Sequence, residues 1–309
     1  MITMDRPGRM RRLEQLVGNN VVLPSGLLVK AVRLPEPIFA QLRGAVTTYI
    51  WHSLTQAYSQ QAFMPNDGLL TRHATAILDL PNRTPNGVLL PRVETFLSFN
   101  LIHQALVRMF ETMGFFPQLA SLQRACNVRI LSGAPDAHTE KRPFASSKLH
   151  TDIWAGEPLG SLLFNILVLG EPDAVDLEFF EPDSFPERLL KPLEDYDLGK
   201  EMAGLAKRCP IKSELGIVLV SDSLSLHQTV KRRRGYRVSI DFRAIPLTLL
   251  AGETSAASHS RAGYIDAEDW RRGGVTTILT SGEPLDSFYR RERGETIERV
   301  KAFPSSSVD

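Results

Sequence analysis

Hydrophobic positions in the first third of the chain follow a helical spacing. Apolar residues recur every four positions, at Ile38, Leu42, Val46, Ile50 and Leu54. This spacing predicts a helix that begins after Pro35. A second helix is predicted after Asp67, which can act as its N-cap, and a third from Arg92 to Met113, ending at Gly114. We therefore expect residues 1–122 to form a mainly helical support region.

The pattern changes after Ala125 to short apolar runs bounded by Gly, Pro, Asp and Ser. The runs are Cys126–Leu131, Lys148–Trp154, Leu162–Leu169, Val175–Phe180, Gly216–Val220 and Tyr236–Ile245. Runs of this length between turn residues predict the strands of a sandwich or barrel. Because no Gly/Ser/Pro-rich linker separates the halves, we expect a single domain, with a β core at 123–250 and a C-terminal extension at 251–309. Two domains that meet near residue 123 are the alternative.

Composition and charge narrow the class of partner. The 309 residues include 36 Lys and Arg against 35 Asp and Glu, a formal charge of +1. The protein therefore has no net positive electrostatic field that would favour binding of nucleic acid. No apolar run approaches the 18 residues that a membrane span requires. Two cysteines are too few for a disulfide framework and fit a reducing compartment. We expect a cytoplasmic protein with a small-molecule partner and a short, partly mobile basic N-terminus; whether it forms a homodimer is left open.

The stretch 148–156, Lys-Leu-His-Thr-Asp-Ile-Trp-Ala-Gly, carries the first candidate chemistry. On a strand, His150, Asp152 and Trp154 project from one face. An imidazole and a carboxylate placed in this way can bind one metal ion, and Trp154 would line the same pocket or simply pack in the core. A His-x-Asp triplet alone is more often a structural pair.

His227 supplies a second imidazole, and Arg237 and Ser239 follow it on a predicted strand. Two histidines and one carboxylate on one face of an octahedral ion leave three positions open, the geometry of non-haem Fe(II) oxygen chemistry. A 2-oxo acid fills two of these positions and O2 the third. The far carboxylate of the 2-oxo acid then needs a cation, which Arg237 provides as a planar two-point donor. Ser239 lies on the same strand face and can donate to the same carboxylate.

Other polar positions have a functional and a structural interpretation. Asn165 is the only polar residue within Leu162–Val168, so its amide must find a partner, either the 2-oxo acid or neighbouring backbone. Arg129 and Asn127 share one side of the first predicted strand of the β core. They contact substrate if that side is interior, although we favour surface exposure. The basic run 231–234 is expected to be a solvated turn.

At these residues the sequence resembles the Fe(II)/2-oxoglutarate-dependent dioxygenases. Their pattern is His-x-Asp, a distal His, and Arg-x-Ser ten residues later. The string His-Thr-Asp-Ile-Trp-Ala-Gly is similar to the His-Ser-Asp-x-Trp-x-Gly of phytanoyl-CoA-dioxygenase-like oxygenases from carbohydrate and aminoglycoside biosynthetic clusters. The resemblance covers residues 126–245. It implies an α+β chain with a mainly β core, a double-stranded β-helix (jelly roll), on which the helical N-terminal region packs.

The resemblance also implies roles for these residues. His150, Asp152 and His227 match the Fe(II) ligands, and Arg237 with Ser239 matches the 2-oxoglutarate clamp. The implied activity is hydroxylation, desaturation or oxidative cyclisation of a small polar natural-product or sugar-like molecule. Halogenating members replace the carboxylate by a small residue, so an intact Asp152 argues against halogenation. The alternatives are a cupin-like metalloenzyme that does not use 2-oxoglutarate, in which Arg237 has no role, and a non-catalytic small-molecule-binding protein on the same fold.

Overall fold

The computed structural model describes residues 5–18, 26–66, 68–134, 141–253, 263–272, 289–292 and 296–299. Its α-helices are α1 (Arg6–Val17), α2 (Glu36–Ala57), α3 (Leu69–Arg72), α4 (Ala74–Leu78), α5 (Phe96–Met113) and α6 (Ala267–Arg272). Short 3₁₀ helices span Val93–Thr95, Phe116–Gln118, Asp152–Ala155, Glu187–Leu189 and Tyr196–Gly204. Its strands are β1 (Val29–Arg33), β2 (Val88–Leu89), β3 (Leu119–Gln123), β4 (Asn127–Ser132), β5 (Leu162–Gly170), β6 (Val175–Pro182), β7 (Ala206–Arg208), β8 (Ile217–Asp222), β9 (Leu226–Lys231), β10 (Tyr236–Pro246), β11 (Tyr264–Asp266), β12 (Tyr289–Glu292) and β13 (Thr296–Arg299).

Two of the three predicted helices form as expected. The four-residue spacing after Pro35 is helix α2. The third prediction becomes α5, which begins at Phe96 and ends at Gly114, where a φ of 69° requires the left-handed conformation that glycine tolerates. The second prediction gives two short helices, α3 and α4, because His73 leaves the helical region between them. Its proposed cap, Asp67, lies outside the described residues.

The first third is less purely helical than the spacing predicts. Three strands, β1, β2 and β3, come from it, and β1 pairs antiparallel with β8 over its whole length. Four of the five β1 residues are buried, so this run is too short and too uniformly buried to carry a helical period. Within the basic start, residues 6–17 form the helix α1.

Two antiparallel sheets form the β core. The larger one has the strand order β1-β8-β5-β10-β3-β11, and β4 joins β10 to β2. The smaller one has the order β7-β6-β9. Leu163 and Leu219 of the larger sheet share an apolar cluster with Leu177 and Phe179 of the smaller one, so the two sheets face each other across this cluster.

The helices cover the opposite face of the larger sheet. Along β10, the apolar residues Val238, Ile240, Phe242 and Ala244 alternate with the polar residues Arg237, Ser239, Asp241 and Arg243. The apolar set lies in one core with residues of α2 and α5. Phe110 of α5 lies 5.6 Å from the ring of Phe242. The polar set of β10 therefore faces the second sheet, into the space between the two. Among the described helices, none is long and apolar enough to cross a membrane.

Candidate metal centre and active site

His150 and His227 are joined through their backbones. The amide of His150 donates to the carbonyl of His227 at 3.0 Å, and the amide of His227 donates back at 2.7 Å. His227 lies on β9, which pairs with β6 through Phe179. This two-residue bridge holds the imidazole centroids 4.3 Å apart, so both rings enter the space between the sheets together.

Asp152 reaches the same place by a different route from the predicted one. The expected strand Lys148–Trp154 is wrong: His150 makes only an isolated bridge, and residues 152–155 form a 3₁₀ helix. Thr151 is extended and caps that helix by accepting a hydrogen bond from the amide of Ile153. The turn places Asp152 beside the histidines, and ligand atoms of His150, Asp152 and His227 all lie within 4.8 Å of one another.

The protonation states of this cluster suit a divalent metal ion. Nδ1 of His150 donates to the carbonyl of Lys148 at 2.7 Å, which leaves Nε2 as the free ring nitrogen. Burial, assisted by the neighbouring His227, lowers the pKa of His150 to about 3, and burial also lowers the pKa of His227. Burial alone raises the pKa of Asp152, but the charge and hydrogen bonds of Arg243 contribute most to the opposing effect, which lowers the value to about 2. Two neutral imidazoles and one ionised carboxylate result.

Arg243 is the site residue that sequence reasoning missed. Its Nε and Nη2 donate to the two carboxylate oxygens of Asp152 at 3.0 and 2.7 Å, and its Nη1 donates to Asp241 at 2.8 Å. A signal was present, because Arg243 lies six positions after Arg237 and therefore on the same face of β10. The three candidate metal ligands thus include one carboxylate that is already oriented by a two-point donor.

Asp241 links this pair to Arg129 and Asn127. Arg129 Nε donates to one of its oxygens at 2.8 Å, and Asn127 Nδ2 donates to the other at 2.7 Å. Surface exposure, the interpretation favoured for Arg129 and Asn127, is wrong: Asn127 is fully buried and 19% of the Arg129 side chain is exposed. They face inward because they lie opposite Asp241 and Ser239 in the pairing of β4 with β10, and directly opposed residues share a sheet face. Contact between Arg129 and substrate stays a prediction.

Arg237 is a buried cation without a carboxylate partner among the described residues. It is 2% exposed, and its guanidinium donates to Asn165 Oδ1 at 2.8 Å and to Ser213 Oγ at 3.3 Å. Its Nε has no hydrogen-bond partner. Burial lowers the pKa of Arg237 to about 10, against the opposing effect of Asp176 and Asp241. The neighbouring Ser239 is 1% exposed and, by strand alternation, lies on the same face of β10.

Trp154 and Tyr196 border the cluster on the side of the long 182–210 connection. Tyr196 stacks on His150 with the ring centroids 4.3 Å apart and the planes at 7°. Trp154 is 1% exposed, and its Nε1 donates to the carbonyl of Leu189 at 2.9 Å. A Cβ on Gly199 would lie 2.1 Å from the Trp154 ring, so this glycine permits the close approach. The strand-face argument for Trp154 therefore fails, because residues 152–155 form a 3₁₀ helix. Trp154 packs in one apolar cluster with Leu189 and Tyr196, and its contact with substrate stays a prediction.

The basic run 231–234 is mostly surface. Arg232 pairs with Glu178, and Arg233 pairs with Glu171 at 2.6 Å. Residues 232–234 are exposed in the β9–β10 turn, as the charge run predicts.

No protein-family model matches the sequence, and no curated protein matches it. Among solved structures, the chain is similar to AviO1 from Streptomyces viridochromogenes Tue57, with 16% identity over 83% of this chain and 100% of that one and a TM-score of 0.41. It is also similar to SnoN, a non-heme alpha ketoglutarate dependent epimerase from nogalamycin biosynthesis (11% identity, 81% and 93% covered, TM-score 0.35). The carbocyclase SnoK from the same biosynthesis matches at 10% identity, with 76% and 83% covered and a TM-score of 0.38. Both SnoN and SnoK are described as non-heme alpha ketoglutarate dependent.

Proposed function

We propose that this chain is an Fe(II)- and 2-oxoglutarate-dependent oxygenase on a jelly-roll fold, acting on a small polar natural-product or sugar-like substrate. The observation that carries the proposal is the pairing of two features in one space between the sheets. One feature is the buried cluster of His150, Asp152 and His227. The other is the buried guanidinium of Arg237, which has no carboxylate as a hydrogen-bond partner among the described residues.

His150, Asp152 and His227 are the side chains that would hold the iron. Two neutral nitrogen donors and one anionic oxygen donor form the 2-His-1-carboxylate set of Fe(II) oxygenases. When bound, Fe(II) supplies an oxidation by O2 that is coupled to conversion of 2-oxoglutarate into succinate and CO2. Arg243 orients the Asp152 carboxylate from behind, and the Lys148 carbonyl fixes the tautomer of His150.

Arg237 would receive the far carboxylate of 2-oxoglutarate. A buried guanidinium that hydrogen-bonds only to neutral acceptors is incompletely compensated, and an incoming carboxylate reduces that penalty. Asn165 Oδ1 fixes Nη2, Ser213 holds Nη1 more weakly, and Ser239 lies on the same strand face. Asn165 would thus act on 2-oxoglutarate indirectly, because its side-chain amide accepts a hydrogen bond from Arg237.

The Arg237 environment also separates the proposal from its two alternatives. A cupin-like metalloenzyme that does not use 2-oxoglutarate needs the three metal ligands and gives a buried Arg237 no task. A non-catalytic binding protein needs neither, whereas this chain retains the complete set of ligands and the arginine in buried positions.

The test is a 2-oxoglutarate consumption screen across sugars, aminoglycosides and amino acids, with added Fe(II). Product masses separate hydroxylation, a gain of one oxygen, from desaturation or cyclisation, a loss of two hydrogens. Substitution of His150, Asp152 or His227 by Ala should abolish turnover. His52→Ala is the matched control, because His52 contacts Ser98 on α5 and lies outside the cluster. Substrate conversion by wild-type protein without 2-oxoglutarate would favour the cupin-like alternative.

A further inference from the structure

A second buried charge cluster lies beneath the turn that leads to His227. Two arginines of α1, Arg9 and Arg12, each form ion pairs with two carboxylates. The carboxylates are Asp222, at the end of β8, and Glu253, which follows β10. We call these four residues the arginine–carboxylate ring. Arg9 contacts Asp222 at 2.7 Å and Glu253 at 2.8 Å, and Arg12 contacts them at 2.9 and 2.5 Å. Both arginine side chains are 6% exposed and both carboxylates are 0% exposed.

Asp222 has a second task in the same place. Its Oδ1 accepts the amide of Leu224 at 2.9 Å, and its carbonyl accepts the amide of Ser225 at 2.9 Å. These bonds shape the tight turn from β8 into β9. Nδ1 of His227 faces the carbonyl of Ser225 at 3.5 Å. The carboxylate in the ring therefore determines the turn on which the distal histidine depends.

The same turn also holds the first two ligands. The Ser223 carbonyl accepts a hydrogen bond from Thr151 Oγ1, the residue between His150 and Asp152. The Ser223 hydroxyl donates to the carbonyl of Leu159, and Arg9 also approaches that carbonyl at 3.5 Å. One contiguous set of contacts thus runs from α1 through the turn to both segments that carry metal ligands.

We infer that Arg9 and Arg12 are positioning residues of the metal centre, acting through Asp222 and the β8–β9 turn. The inference rests on the proposed metal site. Loss of one arginine leaves two buried carboxylates facing a single cation, and an uncompensated buried charge moves toward water or a new partner. The turn is the part of the chain that would move, because Asp222 belongs to it. Metal affinity should therefore depend on a helix that contributes no ligand.

The experiment compares Arg12→Met with Arg11→Met in the full chain. Arg11 is the neighbouring residue on α1 and is exposed, so its substitution removes the same charge outside the ring. Co(II) serves as the metal probe in a buffered titration, and its ligand-field spectrum reports the coordination of the bound ion. Coupling through such contacts is typically 0.5–2 kcal/mol, so Arg12→Met should weaken Co(II) binding about 2- to 30-fold and alter the spectrum. Arg11→Met should leave both unchanged.

Two further variants separate positioning from general destabilisation. Leu106→Ala removes a fully buried side chain of α5 in the helical layer, lowers stability and should leave Co(II) affinity unchanged. Adding Asp222→Asn to Arg12→Met restores charge balance and keeps the acceptor for Leu224, so the double variant should bind Co(II) more tightly than Arg12→Met alone. If Arg12→Met gives no folded protein, Arg12→Lys, which keeps the charge without the two-point contact, carries the comparison.

The outcomes distinguish this inference from the proposed function. Wild-type protein that binds no Co(II) would refute the metal site itself. Wild-type binding with equal affinity in Arg12→Met and Arg11→Met would refute the positioning role alone. Equal weakening in Leu106→Ala and Arg12→Met would also overturn it, because general destabilisation would then account for the loss.

Discussion

Arg237→Met removes the cation proposed to hold 2-oxoglutarate and keeps much of the side-chain volume. In the structure this guanidinium is 2% exposed and donates only to the neutral side chains of Asn165 and Ser213. The variant would leave the far carboxylate of 2-oxoglutarate buried without a cation. Loss of one partner of a buried charge pair costs on the order of 2–5 kcal/mol, which corresponds to a weakening of roughly 30-fold or more.

The assay measures KM for 2-oxoglutarate and for substrate separately. We expect Arg237→Met to raise KM for 2-oxoglutarate roughly 30-fold or more and to raise KM for substrate far less. Arg237→Lys should recover only part of the loss, because an ammonium does not reproduce the planar two-point donor. Arg234→Ala is the matched control, since this arginine is exposed in the turn before β10.

Stability provides an independent check on the same variant. Among the described residues Arg237 hydrogen-bonds only to neutral side chains, so its removal breaks no direct ion pair. The free energy of unfolding without co-substrate should therefore fall less than in Arg243→Met, which breaks two such pairs. An unchanged KM for 2-oxoglutarate in Arg237→Met would refute the assignment and favour a metalloenzyme that does not use this co-substrate.

Three further predictions follow from the same geometry. Arg243→Met leaves Asp152 and Asp241 without their shared cation, so unfolding in urea should show a loss of roughly 3–5 kcal/mol, and a loss as small as that of Arg237→Met would contradict the pairing. The pKa of His150 is near 6.5 in the unfolded chain and about 3 in the folded one. The metal-free protein should therefore lose stability as pH falls below 6.5 toward 3, by up to about 1.4 kcal/mol per pH unit from this group. His150→Gln should flatten this dependence of stability on pH, and an equal dependence in both proteins would refute the buried, neutral state of His150. Phe110→Ala removes a ring of α5 that contacts Phe115, after the helix, and Phe164 and Phe242 of the larger sheet. It should lower stability by about 3–5 kcal/mol in one cooperative transition that helical and tryptophan signals report equally, and two separate transitions would favour two domains over one.

The local sequence pattern was sufficient where periodicity alone decides the structure. The apolar spacing after Pro35 gives α2, and the alternation along β10 gives an apolar face toward the helices and a polar face toward the second sheet. The spacing of His150, Asp152, His227 and Arg237 selects residues that the structure buries between the sheets.

Tertiary contacts decide what the pattern left out. Lys148–Trp154 alternates like a strand, but Thr151 caps a 3₁₀ turn there because its partner, Ser223, comes from a distant part of the chain. Arg243 resembled an ordinary polar strand residue until folding placed it against Asp152. Arg9 and Arg12 of α1 belong to the basic N-terminus that the sequence predicts to be partly mobile, and their burial depends on two carboxylates more than 200 residues away.

The central claim is that one buried space binds both a metal ion at His150, Asp152 and His227 and 2-oxoglutarate at Arg237. The most direct measurement is the anomalous diffraction signal of iron in crystals grown without oxygen in the presence of Fe(II) and 2-oxoglutarate. The account predicts a single iron peak among the three ligand side chains, with the far carboxylate of 2-oxoglutarate against Arg237. Iron bound elsewhere, or 2-oxoglutarate absent from Arg237 while iron occupies the cluster, would contradict it.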